Sequence, residues 1–93
     1  MARLDFGIMK TSRRLSPSQA LGASIRQARG PLSQERLAEV IGTKQSVISR
    51  YERGQAIPSS RHLSALIHAL GLDAEEVYAL VHRHYETAER GAA

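Results

Sequence analysis

The 93-residue sequence predicts an all-α domain of five short helices, and three observations carry that expectation. Glycines (Gly30, Gly42, Gly54, Gly71 and Gly91) each follow a segment of helical length, where a left-handed residue closes a helix. Residues suited to capping helix N-termini stand between them. The apolar residues repeat with helical spacing, and no alternating strand pattern or internal repeat interrupts them.

The first helix is expected over 17–29. Ser16-Pro17-Ser18-Gln19 supplies a serine cap, a proline at the first helical position and a glutamine able to close a capping box. Leu21, Ile25 and Ala28 line its inner face. Ser33 caps a second helix over 34–41, which turns Leu37 and Ile41 inward and keeps Ala38 small where a neighbouring helix crosses. Gly42 then allows a sharp turn through positive φ. Thr43 is expected to cap the third helix, anchored by Val47, Ile48 and Tyr51. Ser59 caps the fourth, whose Leu63, Leu66, Ile67 and Leu70 follow the i, i+3, i+4, i+7 template. Asp73-Ala74-Glu75-Glu76 forms a second capping box and opens a fifth helix over 74–89, striped by Val77, Leu80, Val81, His84 and Tyr85. Residues 90–93 are expected to fray. Residues 1–15 have no period and carry Arg3, Lys10, Arg13 and Arg14 against Asp5 alone, so they read as a basic arm. The chain thus divides into an arm (1–15), a four-helix domain (16–72) and a C-terminal helix (73–93).

Composition narrows the function. The absence of cysteine removes disulfides and Cys-ligated zinc. No apolar run spans a bilayer and no secretory signal opens the chain, so a cytoplasmic protein without membrane contact is expected. The net charge of +4 is uneven. Residues 1–61 hold eleven Lys and Arg against four Asp and Glu, whereas residues 62–93 hold two against five. A polyanion would dock on the first part, because neutralised phosphates release counterions. The histidines do not suggest a metal. His82 and His84 project about 200° apart on a helix, and His62 and His68 lack carboxylate or cysteine partners at ligand spacing. No nucleophile-base arrangement and no phosphate-cradling loop can be argued, so no enzyme and no cofactor are expected.

The functional signal lies in residues 33–54. Once the apolar anchors of the second and third helices are assigned to the core, Lys44, Gln45, Ser46, Ser49 and Arg50 point outward. Two short helices joined by a glycine turn, the second presenting a polar and basic face, is how a small protein reads the DNA major groove. Glutamine pairs with adenine through two hydrogen bonds, and arginine pairs likewise with guanine.

Over 21–72 the sequence resembles the phage repressor and Cro-like helix-turn-helix family, the XRE-type regulators. The resemblance is carried by Leu32-Ser33-Gln34, Leu37-Ala38, Gly42-Thr43, Gln45-Ser46-Val47-Ile48-Ser49-Arg50, Glu52-Arg53-Gly54, Pro58, and Leu66 with Ala69-Leu70-Gly71. It implies a λ-repressor-like fold. It also implies that Gln34 contacts a phosphate and braces the first residue of the recognition helix. Gln45, Ser46, Ser49 and Arg50 would face base edges, with Val47 against a thymine methyl or a sugar. Thr43, Lys44 and Arg53 match positions that clamp the phosphate backbone. The link Arg29-Gly30-Pro31-Leu32 is shorter than the family's usual one. Arg29, not Gln27, therefore becomes the match to the first-helix arginine that pairs with the glutamate at the end of the third helix, here Glu52.

The fifth helix carries more apolar surface than a four-helix domain needs for closure. Some of it must pack on helices 1 and 4. The rest predicts a homodimer interface at Val77, Tyr78, Val81, His82 and Tyr85. The expected protein is a dimeric, sequence-specific binder of double-stranded DNA that acts on a near-palindromic operator as a repressor. Two alternatives are an antitoxin that binds its own operator and neutralises a toxin, and an interaction module of the same fold without DNA binding. Activation would require a contact with polymerase.

Overall fold

A computed structural model describes residues 15–92, with side chains described as far as residue 88. The basic arm expected over 1–15 lies outside the described residues except for Leu15. Five helices follow one another: α1 (Pro17–Arg29), α2 (Gln34–Ile41), α3 (Gln45–Glu52), α4 (Ser60–Leu70) and α5 (Ala74–Ala92). No strand occurs among the described residues.

The capping chemistry explains most of the boundaries. The Ser16 hydroxyl accepts from the Gln19 N–H at 3.2 Å while the Gln19 side chain accepts from the Ser16 N–H at 3.0 Å, a closed capping box. Ser33 and Ser59 accept from the N–H groups of Arg36 and His62, and Asp73 accepts from that of Glu76. Gly42 (φ +80°) ends α2, and the Thr43 N–H reaches back to the Ala38 carbonyl at 2.8 Å. That bond corrects one expectation. Thr43 belongs to the end of α2, and Lys44 stands at the N-cap of α3 without a side-chain hydrogen bond. A second correction concerns α5, which continues through Gly91 to Ala92. Glycine permits a helix to stop but does not require it, since an interior glycine costs only about 0.5–1 kcal/mol.

The core gathers around α1, against which α3, α4 and α5 all pack, while α2 packs on α3 and α4. Leu21, Ile25, Leu37, Ile48 and Leu66 are fully buried. Each such side chain removed from water contributes about 1.5–3 kcal/mol. Ala38, Tyr51, Leu63 and Val77 complete the cluster, with Leu32, Ile41, Val47, Leu70, Leu80 and Val81 packed at its margin. Tyr51 adds a polar tie to the core, its hydroxyl lying 2.7 Å from His62 Nδ1 and linking α3 to α4. Burial raises the Tyr51 pKa, although hydrogen bonding at Ser59 and the charge of Arg50 oppose it. The phenol therefore remains neutral.

The inner face of α1 differs from its apolar reading. Ala28 is exposed, and the buried stripe is Ser18, Leu21, Gly22 and Ile25, with partly buried Arg29 at its end. Gly22 owes its place to the close approach of α3. A Cβ there would lie closer than 3.0 Å to the carbonyl groups of Tyr51 and Glu52. These are backbone atoms and cannot swing aside as a flexible side chain could. Gly22→Ala should therefore lower stability by about 1–3 kcal/mol or more, as overpacking does. Chemical denaturation would measure it, and an unchanged midpoint would show that α1 and α3 do not approach so closely.

Candidate nucleic-acid interface

The candidate interface starts from a charge that α1 carries inward. Arg29 lies one turn beyond Ile25 on the buried stripe, where its guanidinium needs a partner. Glu52, at the end of α3, provides one. Arg29 Nε donates to Glu52 Oε2 at 2.6 Å and Nη2 donates to Oε1 at 3.1 Å, a two-pronged pair, while Nη1 donates to the Leu32 carbonyl at 2.8 Å. Three segments are joined: α1, the α1–α2 link and α3. The Glu52 side chain is only 4 % exposed and that of Arg29 17 %, so solvent screens this pair poorly.

The carboxylate does more than hold Arg29. Its Oε1 also accepts from Gln34 Nε2 at 2.8 Å, and Gln34 Oε1 in turn accepts from the Gln45 amide. Gln34 opens α2 and Gln45 opens α3. An unbroken hydrogen-bonded chain thus runs from a partly buried arginine to an exposed glutamine at the tip of the third helix.

Around Gln45 the structure leaves a polar surface. Lys44, Gln45, Ser46, Arg50 and Arg53 are exposed, whereas Thr43, Val47 and Ser49 are partly covered. Val47 packs against the core margin. Arg53 also bonds the neighbouring Gln55 side chain at 3.2 Å. With no side-chain cap at Lys44, the first-turn N–H groups of α3 lack the usual capping oxygen, and such groups suit a phosphate. Arg26 was missed in the sequence, where it reads as one more surface charge. It is exposed on α1 and shares with Arg53 an open groove of about 650 Å³, lined also by Gln19, Ala23, Gln27 and Glu52.

The helix-turn-helix family model matches residues 23–77, more than half of the chain. The chain belongs to the XRE-type helix-turn-helix family. It carries a DNA-binding helix-turn-helix domain, α2 and α3 being the two helices of the motif. Among curated proteins it is similar to multiprotein-bridging factor 1b of Arabidopsis thaliana, 49% identical over 53 residues, and to multiprotein-bridging factor 1a of the same plant, 47% identical over 53 residues. Each match covers 55% of this chain and 37% of the relative, so the similarity spans little more than a third of those proteins. No solved structure matches the chain.

The residues expected at a dimer interface separate into two stripes. Val77 is 3% exposed and belongs to the core of the protomer, so it is withdrawn from any outer face. The cause is helical phase: Val77, Leu80, Val81 and His84 form the more covered side of α5, with Val81 partly buried. Tyr78 (48% exposed), His82 and Tyr85 (55% exposed) fall at i, i+4 and i+7 on the outer side. His82 lies 3.4 Å from Glu86 one turn on, and the His84 and Tyr85 rings meet edge to face at 5.0 Å. No group of three or more potential metal ligands occurs among the described residues. No described helix is long and apolar enough to cross a membrane.

The Arg29–Glu52 pair makes a pH-dependent contribution of definite sign. Burial pushes the Glu52 pKa up, but hydrogen bonds from Arg29 and Gln34 and the charges of Arg29 and Arg26 outweigh it and hold the carboxyl below its ordinary value. Arg29 is pushed up, chiefly by its hydrogen bond to Glu52. A carboxylate with a lowered folded-state pKa adds stability above its unfolded value, about 4.3, and that stability is lost as pH falls through the folded value. The parent protein should therefore lose stability below about pH 4.5 more steeply than Glu52→Gln. At neutral pH, Glu52→Ala should cost about 3–5 kcal/mol, since it leaves a partly buried guanidinium without its partner. Parallel pH profiles, or an alanine variant as stable as the parent, would remove the pair from this role.

Proposed function

We propose that this chain is a sequence-specific regulator of transcription that binds a near-palindromic duplex as a homodimer and represses by occupying a promoter. The observation that carries this reading is the outer face of α3, which is polar and basic where a protein-docking face would be apolar or acidic. In this reading Gln45, Ser46 and Arg50 meet base edges, and Ser49 contributes from a more covered position. Val47 lies beneath them and can reach only a thymine methyl or a sugar at the groove edge. Gln34, Thr43, Lys44 and Arg53 hold phosphates, and we include in that set Arg26, which lines the same groove as Arg53. Phosphate contacts fix the register and base contacts choose the site.

The second copy is assigned to the outer stripe of α5. Tyr78 and Tyr85 are among the few large apolar side chains left exposed on the described surface, and with His82 they share one helical side. A two-fold pairing there would set two recognition helices about one DNA turn, or 34 Å, apart. The name of the Arabidopsis relatives favours a second reading, in which that stripe takes a different protein in place of a second copy.

Two measurements test the proposal. A folded Gln45→Ala/Arg50→Ala protein should bind the parent's preferred duplex at least about 30-fold more weakly, since each base-reading pair contributes about 1–3 kcal/mol of discrimination. Equal affinity would refute the assignment of α3 as the reading helix. Sedimentation should show a dimer that Tyr78→Ala/Tyr85→Ala converts to monomer. A monomeric parent, both free and on its duplex, would favour the second reading.

A further inference from the structure

We propose that Glu52 is a specificity-determining residue for DNA recognition: by fixing the orientation of the Gln34 amide it fixes that of Gln45, and so commits Gln45 to adenine over guanine. This rests on the reading of α3 as the base-contacting helix.

The inference follows from donor and acceptor bookkeeping along one chain of contacts. An ionised carboxylate can only accept hydrogen bonds. Facing Glu52 Oε1 at 2.8 Å, Gln34 must therefore present its NH2 group, which leaves its carbonyl oxygen toward Gln45. A carbonyl oxygen also only accepts, so Gln45 in turn must present its NH2 group. What remains for a ligand at Gln45 is its carbonyl oxygen and one N–H. Adenine shows an acceptor at N7 and a donor at N6 in the major groove, which match that pair. Guanine shows acceptors at both N7 and O6, so the Gln45 oxygen would meet another acceptor. The choice between purines is thus made by a carboxylate in the protein interior, two side chains away from the base.

The Arg29 pair makes the orientation rigid and makes it breakable in a defined way. Glu52 Oε2 holds the shorter bond, 2.6 Å to Arg29 Nε, and Oε1 is shared by Arg29 Nη2 and Gln34. In Glu52→Gln the single remaining oxygen keeps the shorter bond to Arg29 Nε at the expense of the longer Nη2 bond, and the new NH2 group turns toward Gln34. Gln34 must then reverse to accept, its own NH2 group faces Gln45, and Gln45 reverses in turn. Its outward face becomes an NH2 group, which suits guanine at least as well as adenine.

The experiment selects duplexes from a random-sequence library with the full-length parent, then measures affinities for single-base variants of the best duplex. Gln45→Ala marks the base pair that Gln45 reads. At that position the parent should prefer adenine to guanine about tenfold or more. In Glu52→Gln the preference should fall to within about twofold or invert, while discrimination at the other positions stays within about twofold of the parent's. A purely structural role for Glu52 would instead weaken binding evenly across positions. Gln34→Met breaks the same chain while leaving both Arg29–Glu52 hydrogen bonds in place, so it carries the test if Glu52→Gln fails to fold; it too should lose the adenine preference. A parent that prefers guanine at the Gln45 position would overturn the inference, as would variants that keep the adenine preference. A parent that selects no sequence at all would overturn the DNA reading itself.

Discussion

The ion pair between Arg29 and Glu52 is the constraint on which the rest of the molecule depends. An arginine on the inner stripe of α1 cannot stay there unpaired, and a glutamate at the end of α3 cannot be 96% covered unless its charge is met. Each explains the other. Their two hydrogen bonds fix the end of α3 against α1, and the third Arg29 bond ties in the link to α2. Gly22 belongs to the same contact, because the missing Cβ lets the α3 carbonyls approach α1 closely enough for the side chains to meet. A buried pair of this kind is weak evidence for extra stability when compared with apolar replacements, but it specifies one arrangement strongly.

That arrangement reaches the exposed surface without any moving part. Gln34 and Gln45 extend the pair to the tip of α3, so the polarity of an outer amide is set by an inner carboxylate. Base-reading side chains lose affinity when they must be ordered on binding, and a glutamine already held by a neighbour has less freedom to lose. The scaffold and the proposed reading surface are one hydrogen-bonded object. The outer stripe of α5 stands apart from it, since α5 packs on α1 through Val77 and its neighbours and keeps Tyr78 and Tyr85 outward.

Much of the fold was legible in the sequence because the signals were local. Serine caps and closing glycines act within a few residues, and the boundaries of α1 and α2 followed from them. The failures occurred where the deciding atom lies on another element, or where a local signal allows two outcomes. Ala28 and Arg29 are adjacent, and composition favours burying the alanine; the phase of α1 against α3 buries part of the arginine instead. Nothing in its immediate sequence marks Gly22 as a packing glycine, because its requirement comes from carbonyls about thirty residues on. Thr43 is a good capping residue by type, yet its N–H is spent closing α2. Val77 and Tyr78 are neighbours in a stripe wide enough to serve core or surface, and only the packing of α5 on α1 separates them. The chain from Glu52 through Gln34 to Gln45 joins three side chains from two elements and so has no local signature at all. The resemblance to the XRE-type family suggested the Gln34–Gln45 contact and the Arg29–Glu52 pair, but not the bond that unites them.

The central claim is that the ion pair and the reading surface are energetically one unit, and a double-mutant cycle between Glu52 and Gln45 tests it most directly. Affinity for the preferred duplex would be measured for the parent, Glu52→Gln, Gln45→Ala and the double variant. If Glu52 acts through Gln45, the loss caused by Glu52→Gln should largely vanish once Gln45 is alanine, giving a coupling of about 0.5–3 kcal/mol. Strictly additive losses would contradict the account, leaving the pair as scaffold and Gln45 as an independent reader.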